Sequence, residues 1–400
     1  MSGLIGCISF QNEDVIPTLI KGIYGLQHRG QDGIGIGLWL DETEVIFHHS
    51  STIDTMNPVD IHASVACAMT RYAFTNQKKK EPMMPIRVDN SLIIEDGKSR
   101  LDGDYAQAQI KISPSSMICS RDLMGIKPLV LGRIKKTWIV ASESCAIESL
   151  GGSVLRDIMP GETIVIDENG LKSLQSSKHH QPHLCLFEMV YIARPDSTID
   201  GQLVYQCRQQ MGHELAKEHP VNADIVVGSP DSGMIAALGY SEETQIPYQK
   251  ALVKNRYVNR TFINANPSER NNHVQIKISV VSRLVKGKSV VLVDDSIVRG
   301  TTIKHIVKLL KEAGASEVHI RVSSPPVLFA DNLSIDIPNP KNLMCHGKTE
   351  EDLIHELGCD SIKFLSLEKL ISSCHQPHFY TEYFDGKSIA EDGGYYGKDI

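Results

Sequence analysis

Two adjacent carboxylates, Asp294 and Asp295, close an apolar run and are followed by Ser296-Ile297-Val298-Arg299-Gly300-Thr301-Thr302. Val290 to Val293 read as a strand buried on both faces. Ile303, Ile306, Val307 and Leu310 fall at helical spacing, and Gly314 is a C-terminal stop. The loop therefore lies between a strand's C-terminal end and a helix N-terminus. Backbone N–H groups there point outward and favour a phosphate. The two acids are placed to accept bonds from sugar hydroxyls and to hold a hydrated Mg2+. Phosphate, ribose and metal together describe phosphoribosyl diphosphate (PRPP).

The elements that must position this loop follow from the surrounding pattern. The second half alternates strand and helix: Asp224 to Val227 a strand, Met234 to Tyr240 a helix, Val290 to Val293 a strand, Thr301 to Ala313 a helix, Val318 to Val322 a strand. That order predicts a parallel sheet with helices on both faces. The first half carries short β-like runs, Glu44 to His48, Thr137 to Ala141 and Glu162 to Ile166, and one helix near Asp14 to Leu26. A polar, His-containing connection at 174–184 divides the halves.

Composition narrows the class. The 400 residues leave room for two cored domains. A net charge of −7 without a basic stripe argues against nucleic acid, and no apolar segment is long enough for a membrane span. No secretory signal is expected, and nine scattered cysteines without a Cys-x-x-Cys pair fit reduced thiols. A cytoplasmic enzyme is the expectation.

The wording Ser296 to Thr302 resembles the PRPP loop of type I phosphoribosyltransferases, and within them the glutamine PRPP amidotransferase family. Leu26-Gln27-His28-Arg29-Gly30-Gln31, Arg121-Asp122, Gly125 to Leu129, Ala141 to Ser144, Pro160-Gly161-Glu162, Ala193 to Ser197 and Pro230-Asp231-Ser232-Gly233 are similar to its other segments, in the same order. Lys254-Asn255-Arg256-Tyr257 and Arg260 to Ile263 resemble its mobile active-site loop. The resemblance implies an N-terminal-nucleophile four-layer α/β/β/α sandwich over residues 1–178, a type I phosphoribosyltransferase domain over 185–385 and a tail at 386–400. It further implies Mg2+ held by Ser232, Asp294 and Asp295. PRPP would be held by Lys254, Arg256, Tyr257, Asp294, Asp295, Ser296, Arg299, Gly300, Thr301 and Thr302.

The same resemblance exposes departures in the glutaminase half. The family's N-terminal cysteine nucleophile aligns with Ser2, an intrinsically weaker one. Its oxyanion-binding Asn-Gly aligns with Asp96-Gly97, and an ionised carboxylate cannot donate; losing one such donor costs about 10²–10³ in rate. The segment that follows, with the family's acidic grip on the substrate amine, is shortened after Gly97. Arg29, Gly30 and Arg71 remain, Arg71 at the position that grips the substrate carboxylate. Loop departures also occur: Asn259 for glycine, and Asn264-Ala265 for Gln-Pro.

Some relatives carry a [4Fe–4S] cluster on four cysteines. Here those positions are Cys185, Asp331, His375 and His378, a set not expected to hold that cluster. It reads either as a tetrahedral Zn2+ site or as scattered histidines on a polar tail. Two functional classes follow. One is an enzyme forming 5-phosphoribosylamine and diphosphate from PRPP, with ammonia that is free or delivered by a partner glutaminase. The other is a non-catalytic PRPP or nucleotide sensor assembled with an active paralogue. A homo-oligomer and inhibition by purine nucleotides are further expectations.

Overall fold

The computed structural model describes residues 1–50, 53, 61–72, 83–99, 105–175, 181–255, 278–331, 333–335, 337 and 339–387. The N-terminal part is two facing antiparallel sheets. The first runs Ser153–Asp157, Val130–Ile134, Thr137–Ala141, Gly3–Ile8, Val65–Thr70, Ile34–Leu40, Thr43–His49. The second runs Gly170–Gln175, Glu162–Asp167, Ser116–Arg121, Tyr105–Ser113, Ser91–Ser99, Ile86–Val88. Alternating burial along Ser116–Arg121 and Glu162–Asp167 turns one face of the second sheet inward. Leu4, Ile8, Val65 and Cys67 of the first sheet meet Ile94, Ile110, Met117 and Ile164 of the second.

The helix Ile16–Gly25 buries Ile16, Leu19 and Ile23 on the outer side of the first sheet, beside the short helix Cys145–Glu148. The outer side of the second sheet carries no helix among the described residues. The connection between two of its neighbouring strands leaves little chain for one. Ser91–Ser99 and Tyr105–Ser113 pair from Leu92–Ile112 to Ser99–Tyr105, so only 100–104 separate the strands.

The C-terminal part is a parallel sheet in the order Ile225–Gly228, Ser289–Asp294, Glu317–Val322, Ser361–Phe364. Its two faces feed different cores. Val226, Val291 and Val293 pack with Met211, Leu215, Ala237 and Tyr240 from the helices Val204–Glu218 and Met234–Thr244. Ile225, Val227, Val290 and Leu292 pack with Ile303, Ile306, Val307 and Leu310 of the helix Thr301–Glu312. That helix buries the four residues its spacing predicted, and the chain turns at Gly314 with φ +92°. The expected strands and helices recur with ends shifted by a few residues. The polar connection is narrower than expected, because Gly170–Gln175 and Leu184–Cys185 are strands.

The two parts share a polar seam. Arg121 makes a two-pronged ion pair with Asp200, at 2.7 and 2.8 Å. Glu143 accepts from Ser197 Oγ at 2.6 Å and from the Arg194 N–H at 2.9 Å. All nine cysteines are free and buried. Among the described residues no helix is long and apolar enough to cross a membrane.

Candidate active site

The central parallel strand ends at Asp294, and both Asp294 and Asp295 are buried. Asp294 Oδ1 accepts the Asp295 N–H at 3.1 Å, and Asp295 Oδ1 accepts from Ser296 Oγ at 2.9 Å. Asp295 Oδ2 is buried without a hydrogen-bond partner. Burial, and then the neighbouring Asp295, push the Asp294 pKa up; burial pushes Asp295 up too, opposed by the Ser232 and Ser296 hydroxyls and the Arg208 cation. Two desolvated acids with an orphaned oxygen are a poor resting arrangement for a protein interior, and a cation is the group that relieves it.

The rest of the cradle is built by neighbouring loops. The Ser229 N–H donates to the Val293 carbonyl at 2.8 Å, which brings the Ser229–Gly233 turn against the strand end and sets Ser232 beside Asp295. Lys254, at the end of the strand Leu252–Lys254, reaches Asp231 Oδ2 at 2.7 Å on the same rim. Arg299, Thr301 and Thr302 are exposed, and Ser296 and Gly300 are partly so. Gly300 caps the helix Thr301–Glu312 at φ +73°, and a Cβ there would lie 2.7 Å from Met344 Sδ. Only glycine fits that turn. No side chain caps the helix, which leaves its first-turn N–H groups for a ligand. Arg256, Tyr257, Asn259, Asn264 and Ala265 lie outside the described residues.

The predicted residues of the N-terminal pocket also converge. Ser2 Oγ accepts the Tyr72 N–H at 3.3 Å, the Ser2 N–H donates to Asp96 Oδ1 at 3.0 Å, and Arg29 Nε donates to the Ser2 carbonyl at 3.4 Å. Gly30 packs so closely on the Arg71 backbone that a Cβ would lie 2.5 Å from its carbonyl carbon. Gly97 pairs with Gln107 in the sheet.

Sequence reasoning missed what balances this pocket. Lys127 is buried, with Nζ 3.4 Å from Asp96 Oδ2. Burial alone would raise the Asp96 pKa; Lys127 and the surrounding cations hold it below the usual carboxylate range. Arg29 donates to Glu143 at 2.7 Å and to both oxygens of Glu188 at 2.6 and 2.9 Å, all fully buried. Glu188 belongs to the C-terminal part, so this pair spans the seam. The only sequence signal was placement: Lys127 and Glu143 sit inside motif-bearing segments.

The Cys185, Asp331, His375 and His378 positions do not gather into a metal-holding cluster among the described residues. Cys185 and Asp331 are buried, whereas His375 and His378 are exposed. Among the described residues no group of three or more His, Cys, Asp or Glu is arranged to hold a metal.

Known proteins with this arrangement decide the family. The described phosphoribosyl transferase domain model matches residues 203–324, and a glutamine amidotransferase domain model matches 64–149. The amidophosphoribosyltransferase of Methanocaldococcus jannaschii is 34% identical over 93% of this chain and 94% of its own length. The chain belongs to the amidophosphoribosyltransferase family. The Archaeoglobus fulgidus member is 46% identical over 68% of this chain, an alignment spanning 59% of that protein. The solved structure of the glutamine PRPP amidotransferase of B. subtilis, complexed with ADP and GMP, superposes with a TM-score of 0.87 at 32% identity, covering 97% of each chain. The family is one of transferases in purine biosynthesis, and the mixed α/β architecture is the family's own.

Proposed function

We propose that the chain forms 5-phosphoribosylamine and diphosphate from PRPP, with ammonia as the nitrogen donor. The observation that carries the PRPP reading is the buried Asp294–Asp295 pair with its orphaned Oδ2, beside an uncapped helix N-terminus. The loop 296–302 would hold the 5-phosphate through backbone N–H groups. Asp294 and Asp295 would meet the ribose hydroxyls and hold Mg2+ with Ser232. When bound, Mg2+ neutralises charge on the departing diphosphate. Lys254 would add a cation on that side, with Arg256 and Tyr257 on the loop that follows. Ammonia attacks C1 as the C1–O bond breaks; the electron pair leaves with diphosphate, and one proton is released from nitrogen.

Ammonia is favoured over glutamine by the state of the N-terminal pocket. Ser2 Oγ accepts a backbone N–H, and Asp96 at the oxyanion position is locked to Lys127 and to the Ser2 N–H. A developing oxyanion would face that carboxylate. Free ammonia or a partner glutaminase would then supply nitrogen. A homo-oligomer, a cytoplasmic location and regulation by purine nucleotides belong to the same reading; the nucleotides in the B. subtilis relative support the last.

Diphosphate release from PRPP and Mg2+, with NH4Cl or glutamine as donor, tests the reading. Turnover with NH4Cl and little with glutamine is expected. Release with neither donor, despite PRPP binding, would favour the non-catalytic sensor. Equal release with both would restore a working glutaminase.

A further inference from the structure

We propose that this chain replaces the iron–sulfur staple of its cluster-bearing relatives with a metal-free hydrogen-bonded hub centred on Asp331. The residues at the four cluster positions do not fit the group. Cys185 is fully buried, and the other three positions carry a carboxylate and two exposed imidazoles in place of the thiolates such a cluster takes. Cys185 Sγ faces Tyr383 Oη at 3.6 Å.

Asp331 is already saturated. Its Oδ1 accepts from the Leu333 N–H at 3.3 Å and from the Tyr380 hydroxyl. Its Oδ2 accepts from the Ser334 N–H and hydroxyl, each at 3.0 Å, and from the Ile335 N–H. Five donors on two oxygens exceed the roughly four lone-pair directions a carboxylate offers. No direction is left for a metal. Asp331 and Ile337 also exchange backbone hydrogen bonds at 3.0 and 3.1 Å, which closes the loop around the carboxylate.

The hub ties together three segments far apart in sequence, the task a four-ligand cluster would perform. The strand Leu184–Cys185 pairs with Phe379–Tyr380, setting Cys185 opposite Tyr380. Tyr383 donates to the Tyr380 carbonyl at 3.0 Å and accepts the Phe187 N–H at 2.8 Å. Phe187 leads directly into Glu188, the partner of Arg29 across the seam. Stapling these segments therefore also seats that ion pair. This inference does not depend on which amine the enzyme uses.

The test combines metal analysis with thermal unfolding of the full chain. Protein made anaerobically with added iron should contain neither iron nor acid-labile sulfide. Its Tm should be unchanged by air or by EDTA. Tyr380→Phe removes one donor and should lower Tm by about 2–4 °C. Asp331→Asn should lower it further, because an amide accepts on one oxygen only, and Cys185→Ala should change it less than either. If Asp331→Asn does not fold, Tyr380→Phe still decides. Stoichiometric iron and sulfide, zinc whose removal by EDTA lowers Tm, or a Tyr380→Phe variant as stable as wild type would overturn the proposal.

Discussion

The strand end at Asp294–Asp295 and the pocket around Ser2 both bury carboxylates, but they treat them oppositely. Asp295 keeps an oxygen without a partner, and its pKa is pushed up by burial. Asp96 is matched by Lys127 and the Ser2 N–H, and its pKa is held down despite burial. An unbalanced buried charge is an invitation to a ligand; a balanced one is structure. The difference separates a carboxylate pair open to a ligand from a carboxylate already matched inside the protein.

The comparison breaks most forcefully at Asp96. Asp96→Ala would strand the Lys127 ammonium in the interior, and we expect a loss of about 3–5 kcal/mol in stability. Denaturant unfolding measures this, and PRPP affinity of the folded variant should be unchanged. An Asp96→Ala protein of wild-type stability would mean that the pair balances nothing.

A second, smaller effect concerns Glu143. Burial alone would raise its pKa, but His28, Arg29 and Ser197 hold it well below the usual carboxylate range. With the folded value depressed, the stabilisation is complete above the ordinary value of 4.5 and is lost as pH falls toward the folded value. Thermal unfolding followed from about pH 7 to about pH 3 should therefore show a steep acid limb in wild type and a flatter one in Glu143→Gln. Parallel limbs would remove Glu143 from the balance of the seam.

The smallest expected effect is none. Ser2→Cys supplies a better nucleophile, yet on the proposed reading the Asp96–Lys127 pair would still occupy the oxyanion position, so glutamine hydrolysis should stay at background. Robust ammonia release by that variant would show that the nucleophile alone was limiting.

Much of the candidate phosphoribosyl site was legible in the sequence because its parts are local. Asp294, Asp295 and the Gly300-Thr301-Thr302 turn lie within nine residues, and the apolar stripe of the helix Thr301–Glu312 follows at fixed spacing. The N-terminal pocket was legible in membership but not in meaning. Asp96 reads as a lost donor, while its pairing with Lys127 joins a strand to a distant loop that no periodicity connects. Glu188 escaped for the same reason, since it finds Arg29 only across the seam, and Glu143 meets Arg29 from 114 positions away in sequence. The sequence could not choose between a Zn2+ site and scattered histidines at Cys185, Asp331, His375 and His378, because aligned positions carry no information about burial. Two of the four face solvent, and Asp331 spends its oxygens on its own loop.

The most direct test of the contrast pairs calorimetry with thermal unfolding for the Asp294→Ala/Asp295→Ala double variant. A charge-assisted contact contributes about 1.5–3 kcal/mol, so each acid lost should weaken Mg2+-dependent PRPP binding by about 10–100-fold. The ligand-free Tm should hold or rise, because an unbalanced buried pair has been removed. Unchanged PRPP affinity, or a ligand-free protein that unfolds much earlier than wild type, would show that the two acids serve the fold and not the ligand.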